Sequence, residues 1–215
     1  MLDTGKNSPL VHIVRGACNW MMRFLFRIEY RGWEQMPASG PLLIVVNHVT
    51  YFDPFWVGVR VYRTLRFMAW DKLFQFPLSG PILRWLGAFP INLENPEYGS
   101  YKTALRVLRD GGCVMIFPEG GRSPDGKLTP FKEGAAHLAF RAGAAIMPVV
   151  IHGGARVWSS RMLLPRPGKI LVEFLAPIPK EKFPSTAAEL MHNIREVMLG
   201  RLEKRLEAST PAAKP

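Results

Sequence analysis

Short uncharged runs rich in β-branched residues recur along the chain and alternate with stretches of helical periodicity. Strands are predicted at 41–46, 66–69, 88–93, 113–117, 145–151 and 170–174. Helices are predicted between them, at 54–63, 81–86, 98–109, 131–142 and 185–207. Helices that lie between strands indicate an α/β fold, in which one largely parallel (mixed) sheet is covered by helices within a single domain.

The segment 10–27 has a two-sided helical pattern. On a helix of about 100° per residue, one side carries the polar set His12, Arg15, Gly16, Asn19, Arg23 and Arg27. The other side carries bulky apolar residues such as Trp20 and Phe24, and only Phe26 breaks the pattern. A polar face with arginines and no acids is typical of a helix that lies on a membrane surface. A helix that packs on its own core fits equally well, and both interpretations stay open.

The charge narrows the classes of partner. A formal net charge of +11 indicates an anionic partner, either nucleic acid or an anionic membrane surface. The 28 basic residues are scattered among apolar and aromatic ones, which favours the membrane and predicts no nucleic-acid binding. No clean run of about 20 apolar residues and no secretory signal pattern is present, so we expect a peripheral protein at the cytoplasmic face of a membrane.

The two cysteines do not indicate a disulfide framework or a metal site. Cys18 and Cys113 have no spacing typical of metal ligands, and His137, His152 and His192 have no cysteine or carboxylate at such a spacing. We expect no metal, and a reducing compartment fits this cysteine usage.

Two polar segments directly follow predicted strands. Asn47-His48 precedes Asp53-Pro54 after the first strand, and Glu119-Gly120-Gly121-Arg122 follows the strand at 113–117. Ligands of open α/β sheets bind outside the carboxyl ends of the strands, so both segments are expected at the ligand-binding edge. Asp53 is expected to be the N-cap of the next helix, because Asp is a favoured cap and Pro suits the first turn.

The chemistry of a histidine and an aspartate five positions apart depends on the chain turning between them. On one helix or strand His48 and Asp53 would point in different directions, whereas a strand–loop–helix junction can bring them together. Histidine is the residue type best suited to act as a general base near neutral pH, so His48 could take that role, and Asp53 would hold the ring in one tautomer. A strand-end histidine beside an ordinary helix cap is the alternative for the isolated pair.

Four motifs, in order over roughly residues 30–180, resemble the glycerolipid acyltransferase family. They are Asn47-His48 with Asp53-Pro54, Phe117-Pro118-Glu119-Gly120 with Arg122-Ser123, the segment 130–136, and the Pro-containing strand 146–151. The resemblance implies transfer of a fatty acyl group from acyl-CoA or acyl-carrier protein to a lysophospholipid, with 1-acyl-glycerol-3-phosphate as the expected acceptor and no further cofactor. It implies catalytic roles for His48 and Asp53, and acceptor binding by Asn47, Glu119, Gly120 and Arg122.

The chain departs from the family pattern at two positions. Leu93 stands where the family usually has an arginine that holds the acceptor's phosphate, and Gly121 replaces a usual threonine. An acyltransferase for another lipid or a non-phosphate alcohol therefore stays open, as does a non-catalytic basic module that binds membranes or nucleic acid. We predict an amphipathic membrane-associating segment at 1–34, the acyltransferase domain at 35–208 and a disordered tail at 209–215.

Overall fold

The strands form where the sequence supplies short apolar runs. The computed structural model describes residues 16, 20, 26–92, 98–123, 125–159 and 162–209, and its strands form one seven-stranded sheet. They are β1 (Ile28–Arg31), β2 (Leu42–Val46), β3 (Leu65–Trp70), β4 (Ala88–Ile91), β5 (Cys113–Ile116), β6 (Ala145–His152) and β7 (Ile170–Phe174). Every residue of β2 is fully buried, as expected for a strand that is covered on both faces.

The strand order places β2 and β5 side by side in the middle of the sheet. The order is β1-β7-β6-β2-β5-β3-β4, and the five strands from β6 to β4 run parallel. The other two strands, β7 and the edge strand β1, run the other way, since β7 is antiparallel to β6 and β1 is parallel to β7. The predicted α/β fold with one largely parallel sheet is confirmed. We call the edge where the five parallel strands end the carboxyl edge.

Helices cover both faces of the sheet. They are α1 (Asp53–Gly58), α2 (Ser79–Trp85), α3 (Tyr98–Arg109), α4 (Gly134–Ala142), α5 (Gly154–Trp158) and α6 (Ala187–Ser209). One apolar layer lies between the sheet and α1, α2 and α5, with the fully buried Trp56 as its largest side chain. The second layer lies under α3, α4 and α6, where small alanines of α4 let that helix approach the sheet closely.

Several element boundaries differ from the sequence-based expectation. The edge strand β1 and the short helix α5 were not predicted, so the sheet begins before residue 35. Helix α1 ends at Gly58 rather than 63, because the chain turns there and buries Val61. Helix α4 begins at Gly134 rather than 131, because the N–H of Lys132 donates to Pro118 O in the loop after β5 instead of starting the helix.

The predicted N-terminal helix lies almost entirely outside the described residues. Within 10–27, residues 16, 20, 26 and 27 are described, and the first three of them are helical. Phe26, the residue that breaks the amphipathic pattern, is buried and meets Trp56 edge-to-face with 5.8 Å between ring centroids. This end of the segment therefore packs on the core. Residues 210–215 of the predicted tail also lie outside the described part, and Ser209 ends α6.

Candidate active site

The loops after β2 and β5 meet at the carboxyl edge. Because these strands are neighbours in parallel register, the chain leaves both at the same edge and level. The backbone N–H of Ser123 donates to the carbonyl oxygen of His48 over 2.8 Å, which joins the second loop to the first. The two polar segments found in the sequence are thus parts of one site.

His48 and Asp53 come together as the sequence predicts. The Nδ1 atom of His48 lies 2.7 Å from Oδ2 of Asp53. The carboxylate accepts, so we assign the proton to Nδ1, which leaves Nε2 as the basic nitrogen of the ring. The imidazole also stacks on Phe117, with 4.0 Å between ring centroids and 20° between the planes. The ring is therefore held both by a hydrogen bond at one edge and by packing on one face.

Asp53 is tied to the loop rather than to the helix that follows it. Its carboxylate is completely buried and accepts hydrogen bonds from the N–H groups of Val49 and Thr50, the Thr50 hydroxyl and His48. The expected N-cap role is wrong, since Asp53 is the first residue of α1 and caps no helical N–H. Four donors compensate for the burial of the charge and fix the loop that presents His48.

Glu119 holds the backbone of the same loop. Its Oε1 accepts the N–H of His48 over 2.7 Å, and its Oε2 accepts both the N–H and the hydroxyl of Thr129. The side chain is buried, and both of its oxygens are occupied by these bonds. The resemblance implied acceptor binding for Glu119, whereas the geometry favours a positioning role for His48.

Asn47 is also occupied by the protein itself. Its side-chain amide donates to Ile151 O over 3.2 Å and accepts the N–H of Ile151 over 2.7 Å. The side chain is buried and bridges the end of β2 to β6. These two bonds anchor the residue directly before His48, so the geometry favours a positioning role for Asn47.

Arg122 has two properties of an anion-binding residue, a positive charge and an unused hydrogen-bond donor. Its guanidinium lies over the ring of Tyr51, with 3.5 Å from Cζ to the ring centroid. Its Nη1 is buried and has no hydrogen-bond partner within the described part of the chain. A buried, unpaired guanidinium nitrogen is costly in a folded protein. An anion that enters between the loops would satisfy it.

A second cation lies beside the glycines of this loop. Gly120 has a positive φ of 72°, and a Cβ at this residue would lie 2.6 Å from Nζ of Lys132. The glycine therefore permits both the turn and the close approach of the lysine. A Cβ at Gly121 would meet nothing within 4 Å, so this residue borders open space. Leu93, the other position of interest, lies outside the described residues.

Sequence reasoning missed the residues that support the site. Hydrogen bonds join Thr50 and Thr129 to predicted site residues, and ring contacts do so for Tyr51 and Phe117. Lys132 lies against Gly120. The only signal for Thr50 is its place between His48 and Asp53, where a hydroxyl can reach the carboxylate three residues on. Thr129 has no signal of its own, because its partner is distant in the chain.

Two other titratable side chains of the sheet, Cys113 and His152, are buried. Burial raises the pKa of the Cys113 thiol to about 12, so this cysteine does not act as a nucleophile at neutral pH. Burial also lowers the pKa of His152, whose Nε2 lies 3.1 Å from a Glu173 oxygen on β7. Among the described residues, no group of His, Cys, Asp or Glu could hold a metal ion, and no helix is both long and apolar enough to cross a bilayer.

The family model described as Acyltransferase matches residues 27–152 of the chain. Curated relatives include a 1-acyl-sn-glycerol-3-phosphate acyltransferase of Limnanthes alba, 31% identical over 170 residues, which are 78% of this chain and 59% of the relative. The enzyme of that name in Bacillus subtilis is 33% identical over 121 residues, which are 56% of this chain and 60% of the relative.

A chloroplastic protein of the same name in Arabidopsis thaliana is 29% identical over 61% of this chain and 38% of its own length. The chain thus spans between about two fifths and three fifths of the length of these relatives. The crystal structure of PlsC, the 1-acyl-sn-glycerophosphate acyltransferase of Thermotoga maritima, matches with a TM-score of 0.76 and 24% identity. The match covers 90% of this chain and 78% of that one, and it shows that the two share a fold.

Proposed function

The chain belongs to the acyltransferase family, whose model covers more than half of it, and we propose that it is an O-acyltransferase that acts on a lysophospholipid. The reaction would move a fatty acyl group from acyl-CoA or acyl-carrier protein to the free hydroxyl of 1-acyl-glycerol-3-phosphate, giving phosphatidic acid. The curated relatives carry the name of that activity. No further cofactor enters this proposal.

One observation carries the proposal, namely the His48–Asp53 pair held between two loops at the carboxyl edge. A hydroxyl is a poor nucleophile near neutral pH and needs a base within hydrogen-bond reach while it attacks. Nδ1 of His48 is hydrogen-bonded to a buried carboxylate 2.7 Å away, so Nε2 is the atom that would accept the proton of the hydroxyl. Asp53 would stabilise the imidazolium that forms.

The proposed transfer is direct. The acceptor oxygen attacks the thioester carbonyl carbon while its proton passes to Nε2 of His48, which forms a C–O bond and a tetrahedral oxyanion. The oxyanion collapses, the C–S bond breaks, and the leaving thiolate takes the proton from the imidazolium. The products are an ester and a free thiol. The raised pKa of the buried Cys113 thiol argues against an acyl-enzyme at that residue.

The cations of the second loop support a phosphate-bearing acceptor. The unpaired Nη1 of Arg122 and the Lys132 ammonium against Gly120 supply positive charge in the loop that Ser123 bonds to His48. An arginine fork and a lysine are ordinary ligands of a phosphate group. This charge offsets the absence of the family's usual arginine at Leu93.

A different acceptor within the same reaction class is the second candidate, because Leu93 removes one expected phosphate contact. A non-catalytic module that has kept the fold but not the chemistry is less well supported. Such a module would have no reason to keep a buried carboxylate on His48 together with a second carboxylate on the His48 backbone.

We further propose that the protein works as a peripheral protein at the cytoplasmic face of a membrane. The acceptor and the product are lipids, and the net charge of +11 favours an anionic surface. Trp20, in the predicted interfacial helix, is 72% exposed. Phe26 is buried at the end of this segment, so surface contact is expected from the part that precedes it.

An acceptor panel tests the proposed function. Thiol release from acyl-CoA and from acyl-carrier protein would be measured with 1-acyl-glycerol-3-phosphate, glycerol 3-phosphate, lysophosphatidylcholine and an amino lipid, with His48→Ala as the blank. We expect turnover with the first acceptor and none in the blank. Turnover with a non-phosphate acceptor alone would establish the second candidate. Wild-type rates in His48→Ala would refute the mechanism.

A further inference from the structure

Two loops of the protein carry large apolar side chains that are mostly exposed. In the segment between α5 and β7, Leu163 is 92% exposed and Leu164 is 72% exposed. In the segment between β3 and α2, Phe76 is 60% exposed and Leu78 is 77% exposed. Single exposed apolar residues are ordinary on a protein surface. Exposed apolar side chains that cluster on two loops at one edge of the sheet instead indicate a binding surface.

The sheet order places these loops on either side of His48. Strands β2 and β5 carry the two halves of the candidate active site, and β6 and β3 are their outer neighbours. The segment with Leu163 and Leu164 leaves the carboxyl edge at the end of β6 and returns there, because His152 pairs with Leu171 at the start of β7. The segment with Phe76 leaves the same edge at Trp70, the last residue of β3. We call these two segments the apolar rim.

The first rim loop is fixed to the site by specific contacts. Trp158 stacks on Phe52, the residue before Asp53, with 4.7 Å between ring centroids. The indole N–H of Trp158 donates to Met162 O, and the N–H of Arg166 donates to Val157 O over 2.8 Å. These bonds attach the residues on either side of Leu163 and Leu164 to α5. The two leucines are therefore exposed while the loop around them is held in place.

The charge of this loop fits an anionic surface. Between residues 154 and 169 the sequence has four basic residues (Arg156, Arg161, Arg166 and Lys169) and no acidic one. The described members of this set, Arg156, Arg166 and Lys169, are exposed. Apolar side chains flanked by cations are the composition of a segment that enters the headgroup region of an anionic bilayer.

From these observations we infer that the apolar rim inserts into an anionic bilayer and turns the carboxyl edge of the sheet toward the lipid. The inference rests on the proposed function in one respect, because a lipid acceptor would then reach His48 directly from the membrane. It goes beyond that function by naming the surface that contacts the membrane, which is separate from the N-terminal segment. The occupant is a lipid bilayer, because both loops expose large apolar side chains and the first loop adds cations that fit anionic headgroups.

Vesicle binding by the 215-residue chain tests the inference without any turnover. Sedimentation with phosphatidylcholine vesicles that contain phosphatidylglycerol would be compared for wild type, Leu163→Ser with Leu164→Ser, and Phe76→Ser with Leu78→Ser. The control is Val197→Ser, which removes an apolar side chain that is 52% exposed on α6. We expect each rim variant to weaken binding about tenfold, because it loses the transfer of two apolar side chains from water, and the control to bind as wild type does.

A second pair of variants separates the rim from the N-terminal segment. Trp20→Glu with Phe24→Glu removes the apolar side of the predicted interfacial helix. If this variant loses vesicle binding while both rim variants bind as wild type does, the rim is not inserted and the inference is overturned. Equal binding of the wild type to purely zwitterionic vesicles would overturn its electrostatic part. Loss of self-association in the rim variants, measured by sedimentation velocity without lipid, would identify a second copy as the occupant and also overturn it.

Turnover on a dispersed acceptor keeps this inference distinct from the proposed function. With a short-chain acceptor and acyl-CoA in detergent, the rim variants should keep the wild-type rate while losing rate on vesicle-borne acceptor. A wild type that binds vesicles through the rim but turns over no acceptor would refute the proposed function alone. A wild type that turns over the dispersed acceptor, with rim variants unchanged on vesicles, would refute the inference alone.

Discussion

The two loops of the candidate active site are built in opposite ways. In the loop after β2, the polar side chains of Asn47, Thr50 and Asp53 are buried and hydrogen-bonded within the protein. In the loop after β5, Arg122 has a buried nitrogen without a partner in the described part of the chain, and Gly121 borders open space. A loop whose polar groups are satisfied keeps one geometry, whereas an unsatisfied cation is completed by a ligand. The first loop is therefore suited to chemistry and the second to binding.

Glu119 connects the two loops and is the exception to this division. It follows β5 in the chain, yet its carboxylate accepts the backbone N–H of His48. Its position in the sequence suggests a binding residue, and its contacts make it part of the support of the base. The comparison can therefore be tested by asking which kinetic constant each residue controls.

The largest effect is expected at the base and its carboxylate. We expect His48→Ala to lower kcat by about 10²–10⁴, because a general base contributes that much, and to leave the circular-dichroism spectrum unchanged. Asp53→Asn should lower kcat by a smaller factor, because an amide oxygen can still accept from Nδ1 but stabilises the imidazolium less. Asp53→Ala is a poor test, since it leaves the N–H groups of Val49 and Thr50 without their acceptor. A normal kcat in Asp53→Asn would contradict the assignment of the pair.

A smaller effect, still on kcat, is expected at Glu119. Glu119→Gln has only one acceptor oxygen for the N–H groups of His48 and Thr129, so one of them faces an amide donor. Such a conflict costs about 1–3 kcal/mol of stability, and a displaced His48 lowers kcat by about 10- to 100-fold. The matched control is Thr129→Val, which removes the hydroxyl bond to Oε2 but keeps the bond to His48. A rise in KM without a change in kcat would instead return Glu119 to acceptor binding.

How much of this comparison is visible in the sequence depends on the distance between partners. His48 and Asp53 are five residues apart, and a strand, a turn and a helix start can be recognised between them, so their contact is predictable. Glu119 and His48 are 71 residues apart, and Asn47 and Ile151 are 104 apart, so nothing local indicates that these pairs meet. Asn47 and Glu119 were therefore assigned to acceptor binding, although their side chains form hydrogen bonds with backbone groups of the protein.

The fold was more predictable than the support of the site. A run such as Leu42–Val46 is short, uncharged and rich in β-branched residues, which favours a buried strand, and the alternation with helices implies parallel neighbours. Strand β1 was missed because an edge strand tolerates the exposed Glu29 and Arg31, which remove the apolar signal. Leu163 and Leu164 lie between arginines in a predicted loop, a pattern that favours a surface-binding segment, and both leucines are exposed in the structure.

The effect at Arg122 should appear in KM rather than in kcat. Arg122→Lys keeps one positive charge but loses the planar group that lies over Tyr51 and the fork that holds a phosphate. We expect KM for 1-acyl-glycerol-3-phosphate to rise by about 10- to 100-fold, as for the loss of a charge-assisted hydrogen bond of about 1.5–3 kcal/mol, with little change in kcat. Tyr51→Phe is the control, because it keeps the ring under the guanidinium. An equal loss of kcat and of kcat/KM would mean that Arg122 acts in the chemical step, as the loop after β2 does. The division of roles between the two loops would then be wrong.

The smallest effect is expected at Leu93, where the chain departs from its family. Leu93→Arg restores the usual cation, and a partly exposed ion pair is worth about 0–1 kcal/mol. That value corresponds to a decrease in KM of up to about fivefold, measured with 1-acyl-glycerol-3-phosphate in detergent. The size of this gain measures how far Arg122 and Lys132 already neutralise the phosphate, so a small gain is the result that agrees with the geometry of the second loop. Leu93→Gln is the uncharged control of similar length, and it should not lower KM. A gain with lysophosphatidylcholine but none with 1-acyl-glycerol-3-phosphate would mean that the acceptor does not present a terminal phosphate to this loop, and the second candidate function would then take precedence.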